Sequence, residues 1–193
     1  MIYPASEEYV NYASELIKEG EIIVYPTDTL YGLGVDAIKT DAIRQLNFLK
    51  GRSEPLSIVI SDIDMLDQYA TINPKYMDLI STLLPGPFTF LLQKKTSNLS
   101  PLVTLNSPKL GIRIPDHNFP RGIVKKFGYP ITTTSINRHG KQPLIQVSQV
   151  EIDFPDLTIF EDQKERDSLG STIVDLTDVQ PKIVRQGDGE FPE

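Results

Sequence analysis

Glu21-Ile-Ile-Val-Tyr25 runs directly into Pro26-Thr-Asp-Thr-Leu-Tyr-Gly-Leu-Gly34, and this stretch decides the fold. The β-branched and aromatic run from Ile22 to Tyr25 reads as a strand. Pro26 has no N–H to donate and closes it. Upstream, Ser6 is placed to cap a helix whose apolar positions Tyr9, Val10, Ala13, Leu16 and Ile17 recur at helical spacing, with Gly20 as the stop. Downstream, Thr40 opens a second helix carrying Ala42, Ile43, Leu46 and Leu49, which sets Lys50 and Arg52 just past its end. Ser57-Ile-Val-Ile60 reads as a short buried strand, and Ser61-Asp-Ile-Asp64 has capping-box spacing, with Asp in the Glu/Gln place.

Further along, Asn73-Pro74 pairs a cap with proline at the first helical position, leading a helix through Met77 and Ile80 to Pro85-Gly86. Phe88-Thr-Phe-Leu-Leu92 and Leu110-Gly-Ile-Arg-Ile114 are strands. A helix across Arg121–Phe127 ends at Gly128, and Ile131-Thr-Thr-Thr134 extends into the turn Ser135-Ile-Asn137. Leu157–Phe160, Thr172–Leu176 and Lys182–Arg185 complete the strand runs. Helices alternate with short β-branched runs without a strict βα period. The expectation is an α/β protein, one domain over residues 1–193, with a twisted mixed β-sheet flanked by helices.

Composition narrows the chemistry. The 193 residues contain no cysteine and two histidines, His117 and His139, so disulfides, thiolate zinc sites and Cys nucleophiles are excluded. A His-based metal site or a Ser-His-Asp triad would rest on one or two imidazoles, and no metal site is expected in the protein itself. No run of about 18 apolar residues is present. The first residues, Met-Ile-Tyr-Pro-Ala-Ser-Glu-Glu, do not resemble a signal peptide, and a cytoplasmic location without a membrane partner is expected. The net charge of −7 argues against nucleic-acid binding over the whole surface. It is unevenly spread: residues 151–168 hold seven acids against Lys164 and Arg166, a net of −5, so the remainder sums to −2 and leaves room for a local basic cavity.

Within the chain, Gly32-Leu-Gly-Val-Asp-Ala37 fits a degenerate dinucleotide fingerprint, with Glu54 near the offset of a ribose acid. A true fingerprint joins strand directly to helix, whereas here Pro26–Tyr31 intervene and the next helix waits until Thr40. The plain reading is a glycine turn that lets backbone pass close to a neighbour. Thr27 and Thr29 either project hydroxyls into a cavity or tie the turn. Lys50-Gly-Arg52 suits a helix C-terminus, yet an ammonium beside a planar guanidinium, with glycine between, also suits a phosphate clamp. Arg113 stands in an otherwise apolar strand, either outward on a polar face or inward with an anion as partner. Ser135 and Asn137 point one way if the strand persists, or cap a turn.

Taken together, these segments resemble the YrdC-like family, the L-threonylcarbamoyladenylate synthases, from about Ile22 to Arg185. The matching pieces are Tyr25–Gly34, Lys50-Gly-Arg52, Leu84-Pro-Gly-Pro-Phe-Thr89, Gly111-Ile-Arg-Ile-Pro115, Thr134-Ser-Ile-Asn137, Gly170-Ser-Thr-Ile-Val-Asp175 and Arg185. The resemblance implies a sheet around a basic cavity and a nucleotidyltransferase that joins L-threonine, bicarbonate and ATP into threonylcarbamoyl-AMP and pyrophosphate, for threonylcarbamoyl modification of tRNA. It implies Lys50, Arg52, Ser135 and Asn137 as the catalytic polar group. Thr29, Arg113, Thr133 (through its backbone) and Ser171 would hold threonine and bicarbonate, with Arg113 the partner of the carboxylate. Lys50, Arg52, Lys109, Ser135 and Arg185 would bind ATP, with Mg²⁺ arriving on the nucleotide. A contact with RNA or tRNA, double-stranded RNA binding and partner proteins of the transfer pathway are further expectations of the resemblance. So is the absence of the additional C-terminal domain of longer relatives.

The chain also departs from that pattern. Only Ser53 and Glu54 separate Arg52 from Pro55-Leu56, so an anion stands where relatives carry a neutral or basic ATP contact. Val59 replaces a threonine-contacting histidine, and Pro143 falls where serine is common. Two alternatives follow: a non-catalytic paralogue that binds RNA or a nucleotide, and a related transfer using another amino acid.

Overall fold

The structure is a computed structural model that describes residues 1–51, 53–137, 142–164 and 167–192. Its strands are β1 (Ile2–Pro4), β2 (Ile23–Tyr25), β3 (Gly32–Gly34), β4 (Ser57–Val59), β5 (Ala70–Thr71), β6 (Phe88–Lys94), β7 (Lys109–Arg113), β8 (Ile131–Ser135), β9 (Thr158–Glu161), β10 (Thr172–Asp175) and β11 (Lys182–Arg185). They join in the order β1-β9-β2-β3-β8-β4-β7-β6-β10-β11, with β5 also paired to β6. Parallel pairs (β1 with β9, β9 with β2, β4 with β7, β6 with β10) stand in one sheet with antiparallel ones, so the expected mixed sheet is present.

The helices are α1 (Glu7–Glu19), α2 (Thr40–Lys50), α3 (Ile63–Leu66), α4 (Met77–Leu83), α5 (Pro101–Thr104), α6 (Asn118–Phe127) and α7 (Val147–Asp153), with a 3-10 turn at Pro74–Tyr76. Apolar residues at helical spacing on α1 and α6 pack those helices together, and Leu33, Ile58, Phe90, Ile112 and Val174 fill the centre with no exposure. Burying each such side chain contributes roughly 1.5–3 kcal/mol, which offsets the ordering of the chain.

Several expectations needed revision. The glycine segment Gly32–Gly34 is not a turn but β3, a strand between β2 and β8. Glycine is required there because the Tyr25 ring lies across it: a Cβ on Gly34 would stand 2.6 Å from Tyr25 Cε1 and 3.0 Å from the Thr132 carbonyl oxygen. Gly34→Ala is therefore expected to cost about 1–3 kcal/mol through overpacking, read as a lower thermal midpoint. Lys50 is the last residue of α2 rather than beyond it. The cap of α3 is Asp62, whose carboxylate accepts from the Met65 N–H at 3.0 Å, not Ser61. Ser6 stands at the cap of α1 without a side-chain hydrogen bond. Strands β1 and β5 and helices α5 and α7 carried too few residues to announce themselves by period.

No helix among the described residues is long and apolar enough to cross a membrane.

Candidate functional site

Strand ends from both halves of the sheet converge on a cavity of about 290 Å³, whose wall includes Thr29, Arg113, Thr133, Ser135, Ser171 and Arg185. Register explains the convergence. Ser135 is opposite Gly32 across β8 and β3, Thr133 is opposite Ser57 across β8 and β4, and Ser57 is opposite Gly111, two residues before Arg113 on β7. Residues two apart share a face, so Thr133 and Ser135 come from one side, and Arg113 from the strand beyond β4.

Arg113 is buried, which settles the inward alternative. Its Nη2 donates to Asp28 Oδ1 at 2.9 Å and to Thr29 Oγ1 at 3.1 Å. The pair is imperfectly satisfied: Asp28 Oδ2 and Arg113 Nε are buried without hydrogen-bond partners. Thr27 serves the turn itself, its hydroxyl donating to the Leu30 carbonyl at 2.6 Å and accepting from the Thr29 N–H at 3.1 Å. The two threonines thus divide the two readings between them.

Elsewhere on the wall, Arg185 Nη2 donates to the Ser171 carbonyl at 2.7 Å, and the Ser171 and Thr89 hydroxyls share a hydrogen bond of 2.7 Å. Burial, and then the nearby Arg113 charge, hold the Arg185 guanidinium below its ordinary value. Asp28 offsets the Arg113 charge, whereas Arg185 is held by neutral oxygens of Ser171, so the hollow keeps a positive side that suits a carboxylate or phosphate.

Lys50 is almost fully buried and donates to the Ser135 carbonyl and, at 3.0 Å, to Asn137 Oδ1. Ser135 Oγ donates to the same Asn137 oxygen at 3.0 Å. Lys50, Ser135 and Asn137 therefore form one knot at the end of β8, of which Ser135 reaches the cavity wall. Arg52 lies outside the described residues, as does His139.

Lys109 is not part of the cavity wall. It stands four residues before Arg113 on β7 and pairs with Asp175 Oδ2 at 2.5 Å. Desolvation pushes the Asp175 carboxyl up, but hydrogen bonds from Lys109 and Thr177 outweigh it and hold the group below the ordinary range. A nucleotide contact by Lys109 would require that pair to open. Glu54 and Pro143 both line the cavity, whereas Val59 is wholly in the core.

Sequence reasoning overlooked Asp28, although it sits between the two threonines. It also overlooked the direct contact of Thr89 with Ser171, for which the piece ending in Phe88-Thr89 was the available signal. His117 is structural: its Nδ1 accepts from the Phe119 N–H at 3.2 Å, capping α6, and its Nε2 lies 3.0 Å from Asp162 Oδ2. Among the described residues no group of three or more His, Cys, Asp or Glu is arranged to hold a metal ion. A larger surface hollow of about 900 Å³ beside α1 and α6 mixes Glu7 and Asp116 with Lys125 and Lys126, includes His117 and Phe119 in its wall, and shares no residue with the cavity of Arg113 and Arg185.

A mixed sheet whose strand ends bring two guanidiniums and a set of hydroxyls into one hollow defines an α/β domain with a polar cavity. The chain belongs to the Sua5/YciO/YrdC family, whose model, described as telomere recombination, matches residues 15–187. It is 31% identical over 187 residues to a threonylcarbamoyl-AMP synthase of Bacillus subtilis, covering 94% of this chain and 54% of the relative. It is 31% identical over 199 residues to a putative threonylcarbamoyl-AMP synthase of Methanocaldococcus jannaschii, covering 96% and 91%. The chain thus spans about half the length of the Bacillus relative and nearly all of the Methanocaldococcus one. Among solved structures, Pyrococcus abyssi Sua5 complexed with L-threonine superposes with a TM-score of 0.87 at 28% identity, covering 97% of this chain and 56% of that one. Escherichia coli YciO, at 23% identity and a TM-score of 0.86 over 96% and 92%, shares the fold.

Proposed function

We propose that the protein is a nucleotidyltransferase that condenses L-threonine, bicarbonate and ATP into threonylcarbamoyl-AMP and pyrophosphate. The observation that carries this reading is the placement of Arg113 and Arg185 on one cavity with Thr29, Thr133, Ser135 and Ser171. The L-threonine complex of the Pyrococcus relative and the synthase names of the relatives support it over a non-catalytic, RNA- or nucleotide-binding paralogue.

The chemistry matches the inventory. The threonine nitrogen bonds to the carbon of bicarbonate with loss of one water, giving a carbamate that carries two carboxylates, and an oxygen of the new one attacks the α-phosphorus while the bond to pyrophosphate breaks. The protein need supply no nucleophile. It must hold two anions together, offset their charge and keep water from a labile mixed anhydride. Arg113 takes the threonine carboxylate, with Thr29, the Thr133 backbone and Ser171 completing that subsite. Ser135, held by Lys50 and Asn137, faces the phosphates, and Arg185 takes the nucleotide. Mg²⁺ enters with ATP as part of the substrate, in keeping with its preference for phosphate oxygens. The product is an acyl donor whose acceptor, on this reading, is adenosine in tRNA.

The test is mass spectrometry of the product formed from ATP, bicarbonate and a mixture of amino acids. The expected result is the threonine adduct, with pyrophosphate released only when all three substrates are present. Equal turnover of ATP without threonine would sink the assignment.

Glu54 provides a separate check. A carboxylate in the cavity wall opposes incoming phosphates, so Glu54→Gln is expected to lower the KM for ATP by about 2- to 5-fold. The effect should fade between low and high salt in steady-state assays.

A further inference from the structure

Asp188 lies outside the cavity and is exposed, yet its carboxylate holds the turn that forms one wall. Residues 185–189 run alongside residues 168–172. Asp188 Oδ1 accepts from the Leu169 N–H at 2.8 Å, and Oδ2 accepts from the Ser168 hydroxyl. That hydroxyl oxygen accepts in turn from the Gly170 N–H at 3.0 Å. Backbone bonds close the clip: Asp188 N–H donates to the Gly170 carbonyl at 2.9 Å, and Gly187 N–H to Thr172 Oγ1 at 3.0 Å.

The two segments touch with no slack. A Cβ on Gly187 would stand 2.2 Å from the Gly170 oxygen, and Gly170 itself has a φ of +86°, a conformation that favours glycine. The inner segment carries the chemistry. Leu169, Gly170 and Ser171 line the cavity, and the Ser171 carbonyl seats Arg185.

We propose that Asp188 is a positioning residue for the anion cavity: by accepting from Leu169 and Ser168 it sets the turn that presents Ser171 and Arg185 to the ligand. It touches no ligand itself, and the identity of that ligand rests on the synthase reading above. Because the carboxylate is exposed, its removal opens no core, and the variants should fold. Asp188→Asn separates geometry from charge. An asparagine can still accept from Leu169 through its oxygen and can donate to the Ser168 oxygen through its amide, whereas Asp188→Ala can do neither.

The experiment pairs amide exchange, read by NMR at Leu169 and Gly170, with steady-state kinetics on the same proteins. In Asp188→Ala, exchange at these two amides should quicken by about tenfold or more. The KM for threonine should rise about tenfold while kcat stays within about twofold, because a displaced binding wall weakens ground state and transition state alike. Asp188→Asn should remain within about threefold of the native protein in both readouts.

Native-like exchange in Asp188→Ala overturns the proposal, as does rapid exchange with an unchanged threonine KM, and so does an Asp188→Asn variant as impaired as the alanine one. If the native protein makes no threonine adduct, the synthase reading falls by itself. The exchange data, with binding of inorganic pyrophosphate in place of threonine kinetics, then decide the role of Asp188: binding weakened about tenfold in Asp188→Ala supports it, and unchanged binding overturns it.

Discussion

Arg113→Ala is expected to lower threonine-dependent pyrophosphate release by about 10²-fold, because threonine that has lost its carboxylate anchor is no longer held in place for attack and a small misplacement of reacting groups has an effect of that size. The same change leaves Asp28 as a buried carboxylate that has lost its cation, because Arg113 is its ion-pair partner at 2.9 Å and both side chains are nearly enclosed. Breaking a buried pair on one side costs about 3–5 kcal/mol. Activity and stability therefore fall together in the single variant, and a second variant is needed to part them. Asp28→Asn combined with Arg113→Met removes both charges, so its chemical denaturation midpoint should return most of the way to native while threonine-dependent turnover stays lost. If the double variant regained the native KM for threonine, Arg113 would not be the carboxylate partner.

Lys50→Met should reduce pyrophosphate release by about 10²-fold or more, since the ammonium fixes the turn that carries Ser135 and Asn137 and a small misplacement of reacting groups has an effect of that size. The methionine matches the buried stem but donates to neither the Ser135 carbonyl nor Asn137 Oδ1. Lys50→Arg is expected to fail as well. A planar guanidinium cannot occupy a nearly solvent-free slot shaped around a compact ammonium. Single-turnover measurement of adenylate formation distinguishes this from slow product release. Full activity in Lys50→Met would remove the residue from the catalytic group.

Much of the fold was legible along the chain because helices and longer strands carry their periods locally. The apolar spacing of Tyr9 to Ile17 and of Ala42 to Leu49 marked α1 and α2, and Gly20 and Gly128 marked helix ends where the backbone indeed turns left-handed. The site was legible as residue types at strand ends, and Thr29, Arg113, Thr133, Ser135, Ser171 and Arg185 do line one cavity. Short elements were not legible. A two-residue strand such as Ala70–Thr71 has no period to read, and β3 was hidden because its glycines mimic a turn.

What the sequence determined by itself was chemistry by inventory: no thiol, too few imidazoles for a metal cage, and cations and hydroxyls concentrated at the ends of alternating helices and strands. Tertiary structure decided who meets whom. Strand alternation left Arg113 equally free to face water or the interior, and only the placement of the Asp28 turn 85 residues earlier made the inward choice tenable. The same holds for Lys109, for which the family resemblance implies a nucleotide contact and which the neighbouring strands pair with Asp175. Period and propensity act between residues close in sequence, whereas the partner of a charge is set by sheet register across distant segments, which no local pattern encodes.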